Sequence, residues 1–262
     1  MNTSESILLN HRQGIATLTL NRPQARNALD VAMLENLPLL LEQIAADSTV
    51  RAVVITGAGT QAFCAGGDIS GMDQAHPLAG DALAAQIARW ARASVLLHTM
   101  PKPTLAVIDG VAAGAGMSLA LACDLRLGTP RARFITAFAR IGMSGDFGGS
   151  YFLTRLVGPA RARELYLLSE AVGADAALAL GLLNRLVPEE DLVGARDALL
   201  ERLLAVPAEA IGHIKANLNL ALEGDLARVI SAEAAAMAHL SSSPHTLAAS
   251  RQVLGKTHKP AP

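Results

Sequence analysis

The sequence predicts an α/β protein, and three observations point there. Short apolar runs rich in branched residues recur along the chain, two of them close in glycine-rich turns, and segments of helical period follow. The order β-α-β-α-β repeats at roughly the spacing of one ββα unit, which suggests a stacked spiral. Periodicity alone leaves a doubly wound sheet open.

Taken in order, Ile15 to Leu20 alternates aliphatic residues with Thr and reads as a strand that Asn21-Arg22-Pro23 ends. Asn27-Ala28-Leu29-Asp30 leads into a helix over Val31 to Ala46, and Ala52 to Thr56 is the next strand. Residues Gly71 to Ala85 are weakly patterned and read as a loop and helix start. Gln86 to His98 is helical, and Pro101-Lys102-Pro103 resets the chain before a strand over Thr104 to Ile108. Gly116 to Ala122 is a buried helix, with short strands at Leu125 to Leu127 and Arg133 to Ile135. Amphipathic helices are expected over Leu199 to Leu204, Ala208 to Leu222 and Leu226 to Leu240.

Composition narrows the function classes. The 262 residues are 51% hydrophobic with a net charge of −1, which argues against a general nucleic-acid or membrane-surface partner. Cys64 and Cys123 are the only cysteines, so no disulfide framework is implied. The first residues lack a basic n-region and an apolar h-region, and Asp, Arg or Pro interrupts each apolar run. The expectation is a soluble cytoplasmic protein.

The two glycine-rich turns carry the chemistry. Phe63-Cys64-Ala65-Gly66-Gly67-Asp68 follows the strand ending at Thr56, and Asp109-Gly110-Val111-Ala112-Ala113-Gly114-Ala115-Gly116 follows the strand ending at Ile108. Turns of this kind bring bare N–H groups near a ligand, and each is expected to open a helix whose N-terminus adds partial positive charge. Aimed at one point, they would form an oxyanion hole. A further glycine-rich stretch, Ile141 to Ser150, holds Asp146. Asp favours turns and caps, so that placement alone reads as structural. The histidines show no metal-ligand spacing, and no metal or separate cofactor is expected.

These motifs, together with Ile15 to Pro23, Cys123-Asp124 and Gly181 to Val187, resemble the crotonase (enoyl-CoA hydratase/isomerase) superfamily along the whole chain. The resemblance implies a ββα superhelix over residues 1–195 and a C-terminal helical trimerisation region over 196–262, with helical structure from near Pro159. It implies an acyl-CoA substrate, coenzyme A being part of it, and a homotrimer or homohexamer. Gly67 and Ala115 would hold the thioester oxygen through their N–H groups. Ala65, Gly66, Asp68, Ile69 and Gly114 would lie along the substrate, and Arg26, Lys256 and Lys259 would meet the phosphates of coenzyme A. Asp68 is also expected to cap the next helix.

The family's hydratases use two glutamates. Ser118 stands in place of one and Phe138 in place of the other. Asp146 is similar in position to the single Asp of phenylacetyl-CoA-pathway isomerases, the nearest resemblance. It also resembles the Asp of dienoyl-CoA isomerases and aroyl-CoA dehalogenases. Dehalogenases also carry a Trp near Phe138 and a His, for which His76 and His98 are candidates. A pocket built by Phe138, Met117, Met143 and Phe147 would raise the Asp146 pKa by desolvation. The expected activity is double-bond isomerisation in an unsaturated acyl-CoA, with Asp146 as proton shuttle. An atypical hydratase and a catalytically inactive acyl-CoA-binding protein are the alternatives. Glu164 and Glu170 are expected to be solvated or at subunit contacts.

Overall fold

The computed structural model describes residues 6–70 and 77–257, the stretch 252–257 by backbone alone. An antiparallel hairpin of β1 (Ile7–Arg12) and β2 (Ile15–Leu20) is followed by α1 (Val31–Ala46). The next unit is β3 (Ala52–Gly57), β4 (Ala62–Cys64) and α2 (Gly80–Thr99). The pattern repeats as β5 (Thr104–Ile108), β6 (Val111–Ala113) and α3 (Ala115–Ala122), then as β7 (Leu125–Gly128), β8 (Arg133–Ile135) and α4 (Gly149–Leu168). After β9 (Val172–Gly173), α5 (Ala174–Ala179) and β10 (Arg185–Leu186) the chain is helical. Those helices are α6 (Leu192–Leu204), α7 (Ala208–Ala221), α8 (Leu226–Ser241) and α9 (Pro244–Thr257).

After the opening hairpin, each repeat sends its first strand to one sheet and its second to another. The larger sheet has the order β1-β2-β3-β5-β7-β10 and the smaller β4-β6-β8-β9. Neighbours from successive repeats are parallel, and only β1–β2 and β8–β9 are antiparallel. This is the stacked ββα spiral with a helical C-terminal region, and it removes the doubly wound alternative.

The period of two along a strand explains the core. Ala52, Val54, Leu105, Val107 and Leu127 pack on one face against Leu199 and Leu200 of α6. Val53, Ile55, Ala106 and Ile108 point the other way, into the main core with Met33, Leu37 and Leu41 of α1. Strands covered on both faces need apolar residues at every position, hence the unbroken runs. Burial of each large side chain contributes about 1.5–3 kcal/mol. At the start of α1 the Asp30 carboxylate accepts the Met33 N–H at 2.8 Å, which fixes the predicted boundary.

Several expectations change. The first glycine turn opens no helix; Gly67 instead makes an isolated parallel bridge to Leu29, and Asp68 to Ser70 continue without helix. α2 already runs from Gly80, ahead of Gln86. α4 begins at Gly149, well before Pro159, and bends at Gly158, whose φ of 77° breaks the helix so that Pro159 starts its second half. α6 extends back to Leu192, so the expected division at 195/196 falls inside a helix. Residues 71–76 of the weakly patterned segment, with His76, lie outside the described residues.

Candidate active site

The two glycine turns meet. A Cβ at Gly66 would lie 3.0 Å from the Ala113 carbonyl oxygen and 3.6 Å from the Ala115 nitrogen. Gly66 has φ +99° and Gly114 φ 51° with ψ −127°, conformations that L side chains rarely adopt. Behind them, α3 sits so close to β4 that a Cβ at Gly116 would fall 2.4 Å from the Cys64 carbonyl oxygen.

The directions of the N–H groups follow from hydrogen bonds. Leu29 N–H donates to the Gly66 carbonyl at 2.8 Å, and Asp68 N–H donates to the Leu29 carbonyl at 2.9 Å. Peptide groups alternate along an extended chain, so the Gly67 N–H between these two bonds points away from Leu29. Ala115 is the first residue of α3, where an N–H has no acceptor within the helix. Neither N–H has an acceptor among the described residues.

The first turn is braced from the β2–α1 connection. Arg22 pairs with Asp68 at 2.8 Å and with Asp30 at 3.1 Å. Ser70 donates to Asp68 through its hydroxyl at 2.6 Å and its N–H at 3.0 Å. These bonds, Ser70 first and Arg22 after it, hold the Asp68 carboxyl below its usual range. Asp68 therefore caps no helix in this turn, and its carboxylate is engaged by Arg22 and Ser70. Asn27, which the sequence reading did not single out, is fully buried and donates to the carbonyls of Ala58 and Ala62. The Arg26 carbonyl accepts the Ala65 N–H at 3.0 Å, while the Arg26 side chain is exposed. Ala65 is half-buried and Ile69 is exposed, both beside the turn. Lys256 is a backbone position of α9, and Lys259 lies outside the described residues.

Gly114, Met117, Ser118, Leu121, Thr136, Phe138, Gly149, Leu153 and Tyr166 line a small hollow at the start of α3, too narrow to admit a water molecule. Phe138 is buried, and its ring edge would meet a Cβ at Gly114 at 3.8 Å. Ser118 is buried and donates to the carbonyls of Gly114, at 3.3 Å, or Asp146, at 3.2 Å. Among the described residues no carboxylate touches its hydroxyl, so none of them makes it a base. A second hollow, among Pro23, Gln24, Asn27 and Ala58 to Ala62, is lined by no titratable side chain.

Asp146 is not in the lining but lies beside it, its carbonyl within reach of Ser118, on a turn in which Gly142, Gly145, Phe147 and Gly148 all have positive φ. Its backbone carbonyl does the turn's work, accepting from Gly149 N–H at 3.1 Å and from Ser118. Its side chain caps nothing. Oδ1 is buried without a hydrogen-bond partner, and burial pushes the carboxyl up to about 6. The reading of Asp146 as a turn or cap side chain is thereby corrected. The apolar wall is also corrected. Phe138 and Met117 contribute to it, but Met143 is 46% exposed and Phe147 belongs to the main core.

The sequence reading missed Tyr166, which lines the hollow and stacks parallel to Phe138 at 6.3 Å between ring centroids. A periodic helical pattern gives no sign that this one tyrosine turns inward. Burial, and then the Asp146 charge, push its phenol up to about 12. The remaining candidates lie elsewhere. His98 is half-buried among Tyr151 and Phe152, Glu164 is exposed and pairs with Arg161, and Glu170 is exposed. Both thiols are buried and free, and burial pushes each up to about 12. The helix pairing of α7 with α8 gathers Glu209, His213 and His239, their ligand atoms within 4.8 Å of one another. Sequence spacing did not reveal this cluster because His239 comes from the second helix.

The chain belongs to the enoyl-CoA hydratase/isomerase family, whose model matches residues 10–254. It is an enzyme family, and this fold is its fold. The short-chain-enoyl-CoA hydratase of Clostridium acetobutylicum is 31% identical over 234 residues, 88% of this chain and 87% of that one. The 1,2-epoxyphenylacetyl-CoA isomerase of Escherichia coli is 35% identical over 218 residues, 83% of each chain. The crystal structure of an enoyl-CoA hydratase from Mycobacterium smegmatis superposes with a TM-score of 0.90 at 32% identity, covering 97% of both chains. Hydratases and an isomerase match at comparable identity, so the expected special nearness to phenylacetyl-CoA-pathway isomerases is not singled out. No helix among the described residues is long and apolar enough to cross a membrane.

Proposed function

We propose that this enzyme isomerises the double bond of an unsaturated acyl-CoA through an enolate. The observation that carries the reading is the Asp146 side chain: a carboxylate beside Ser118 and Tyr166, one oxygen buried and unpartnered, with its pKa raised to about 6. A buried polar atom without a partner costs about 1–3 kcal/mol, a burden expected at a working group. At neutral pH the group is mostly ionised yet more basic than a free Asp.

In this reading the thioester oxygen lies against the Gly67 and Ala115 N–H groups, which have no other acceptor among the described residues. Asp146 takes a proton from one acyl carbon. The bonding pair of that C–H moves into the conjugated system and charge settles on the thioester oxygen. The same carboxyl then returns the proton two carbons away, and the electrons recover the carbonyl. No water is consumed, and one carboxyl suffices. Arg26 and the C-terminal lysines would meet the phosphates of coenzyme A. The exposed Leu218, Leu222, Leu226 and Ile230 support a self-associating helical region, in line with a trimer or hexamer.

A second reading, hydration of the enoyl double bond, is favoured by the names of the hydratase relatives. Here Asp146 would have to activate water and later supply the proton. Turnover of 3-enoyl-CoA and 2-enoyl-CoA thioesters in deuterated buffer, followed by mass spectrometry, separates the two. Isomerised product that vanishes in Asp146→Asn supports the shuttle. Hydrated product made equally well by that variant overturns both roles of Asp146. Tight thioester binding without turnover across acyl groups would favour a binding protein.

A further inference from the structure

Two glycines flank Asp146, and the same hydroxyl fills the space that both leave open. A Cβ at Gly145 would lie 3.1 Å from Tyr166 Cε1 and 3.4 Å from its hydroxyl. A Cβ at Gly149 would lie 2.5 Å from that hydroxyl and 2.4 Å from Ser118 Oγ. The turn that carries Asp146 is thus bare on both sides where Tyr166 enters it. Tyr166 reaches there because the bend at Gly158 redirects the second half of α4. The phenol oxygen has no hydrogen-bond partner among the described residues, and Asp146 Oδ1 has none either. A donor and an acceptor, both unused among the described residues, therefore flank one turn, close enough that the Asp146 charge acts on the phenol.

We propose that Tyr166 is the positioning residue of Asp146: its O–H donates to the ionised carboxylate and aims the free oxygen lone pair at the acyl chain. The proposal rests on the shuttle reading for its consequence in catalysis, though the pairing itself does not. Hydrogen bonds of catalytic groups are often open in ligand-free structures and close when charge or substrate arrives. A neutral phenol suits this task, because it supports the anion without supplying a competing charge.

Among the described residues, no charged group offers Asp146 the same support. α3 carries no titratable side chain. Between β8 and the turn, Arg140 donates to the Ser169 carbonyl at 2.6 Å. On α4, Tyr151 donates to Glu223, Arg155 lies over the Tyr151 ring, Arg161 pairs with Glu164, and Arg163 is exposed. Burial is the sole cause that raises the Asp146 carboxyl.

The test is the titration of the Asp146 carboxyl, read by ¹³C NMR of Asp-labelled full-length protein and assigned with Asp146→Asn. Tyr166→Phe keeps the ring and its stack on Phe138 and removes only the donor. Loss of a donor to the charged form raises its pKa, so the midpoint should rise by about one pH unit. The acidic limb of kcat/KM for a 3-enoyl-CoA thioester should move by the same amount, with kcat at least about tenfold lower near neutrality. Ser118→Ala, which removes a donor to the backbone carbonyl, should leave the midpoint in place. An unchanged or lowered midpoint in Tyr166→Phe overturns the proposal, as does an equal rise in Ser118→Ala. Failure of the shuttle reading looks different: Asp146→Asn would then keep its turnover whatever the titration shows.

Discussion

Replacing the ionisable group at Asp146 by its neutral isostere should make the protein more stable while it abolishes turnover. The folded-state pKa is raised from 3.8 to about 6 by burial. The folded state therefore prefers the protonated carboxyl more than the unfolded chain does. Ionisation costs stability, in full above the folded pKa, and the cost fades as the pH falls through 6 towards 3.8. A rise of that size corresponds to about 3 kcal/mol. The residue is half-buried and solvent screens part of the effect, so about 1–2 kcal/mol is expected for Asp146→Asn at pH 8. Near pH 5 the gain should shrink to roughly half, following the same linkage. Urea unfolding of both proteins at fixed protein concentration, at pH 8 and pH 5, measures it. An Asn variant no more stable than the parent at pH 8, or one with the same advantage at both pH values, would refute the reasoning. It would mean that burial does not raise the Asp146 carboxyl in solution. The trade of stability for a poised carboxylate is one expected at active sites.

Other outcomes follow from single contacts. Gly149→Ala should cost more than tenfold in turnover, since its Cβ would displace the hydroxyls of both Ser118 and Tyr166, with little loss of helix content by circular dichroism. Lys215→Met should lower stability by about 3–5 kcal/mol in urea. Lys215 is buried, pairs with Asp124 at 2.8 Å and donates to the carbonyls of Leu97 and Lys102, so its loss leaves the Asp124 carboxylate without its cation and the Lys102 carbonyl without its donor. Native protein should resist a thiol reagent such as iodoacetamide at pH 8 until denatured, because Cys64 and Cys123 are buried with thiols pushed up to about 12. Rapid labelling of either under native conditions would show that β4 or the end of α3 opens readily.

Much of the local structure was legible in the chain. The limits of α1 follow from the Asp30 cap and the helical period that begins after it, and they hold to the residue. The strands β3 and β5 announce themselves by nearly unbroken apolar runs, as strands covered on both faces require, and β2 by its alternation, with every second residue buried. Short strands such as β4, β6 and β9 carry too few residues to show a period, and pairing with neighbours from other repeats makes them. The helix expected after the first glycine turn failed because Leu29, distant in sequence, offers Gly66 and Asp68 bridge partners that a helix would forfeit.

What the sequence by itself determined is the set of conformations: glycines where φ must be positive, apolar runs where strands are covered, Asp30 where a helix starts. Those are decided within a few residues by sterics and local hydrogen bonding. What only the tertiary structure decided is the company each group keeps. Asp146 sits in a turn that would suit any structural Asp. It is set apart because α3 takes its carbonyl, packing buries one of its carboxylate oxygens, and no described side chain satisfies that oxygen. Tyr166 looks like one more residue on a helix until the bend at Gly158 carries its hydroxyl between Gly145 and Gly149. Desolvation and proximity depend on every element packed around a group, so no short stretch of sequence encodes them.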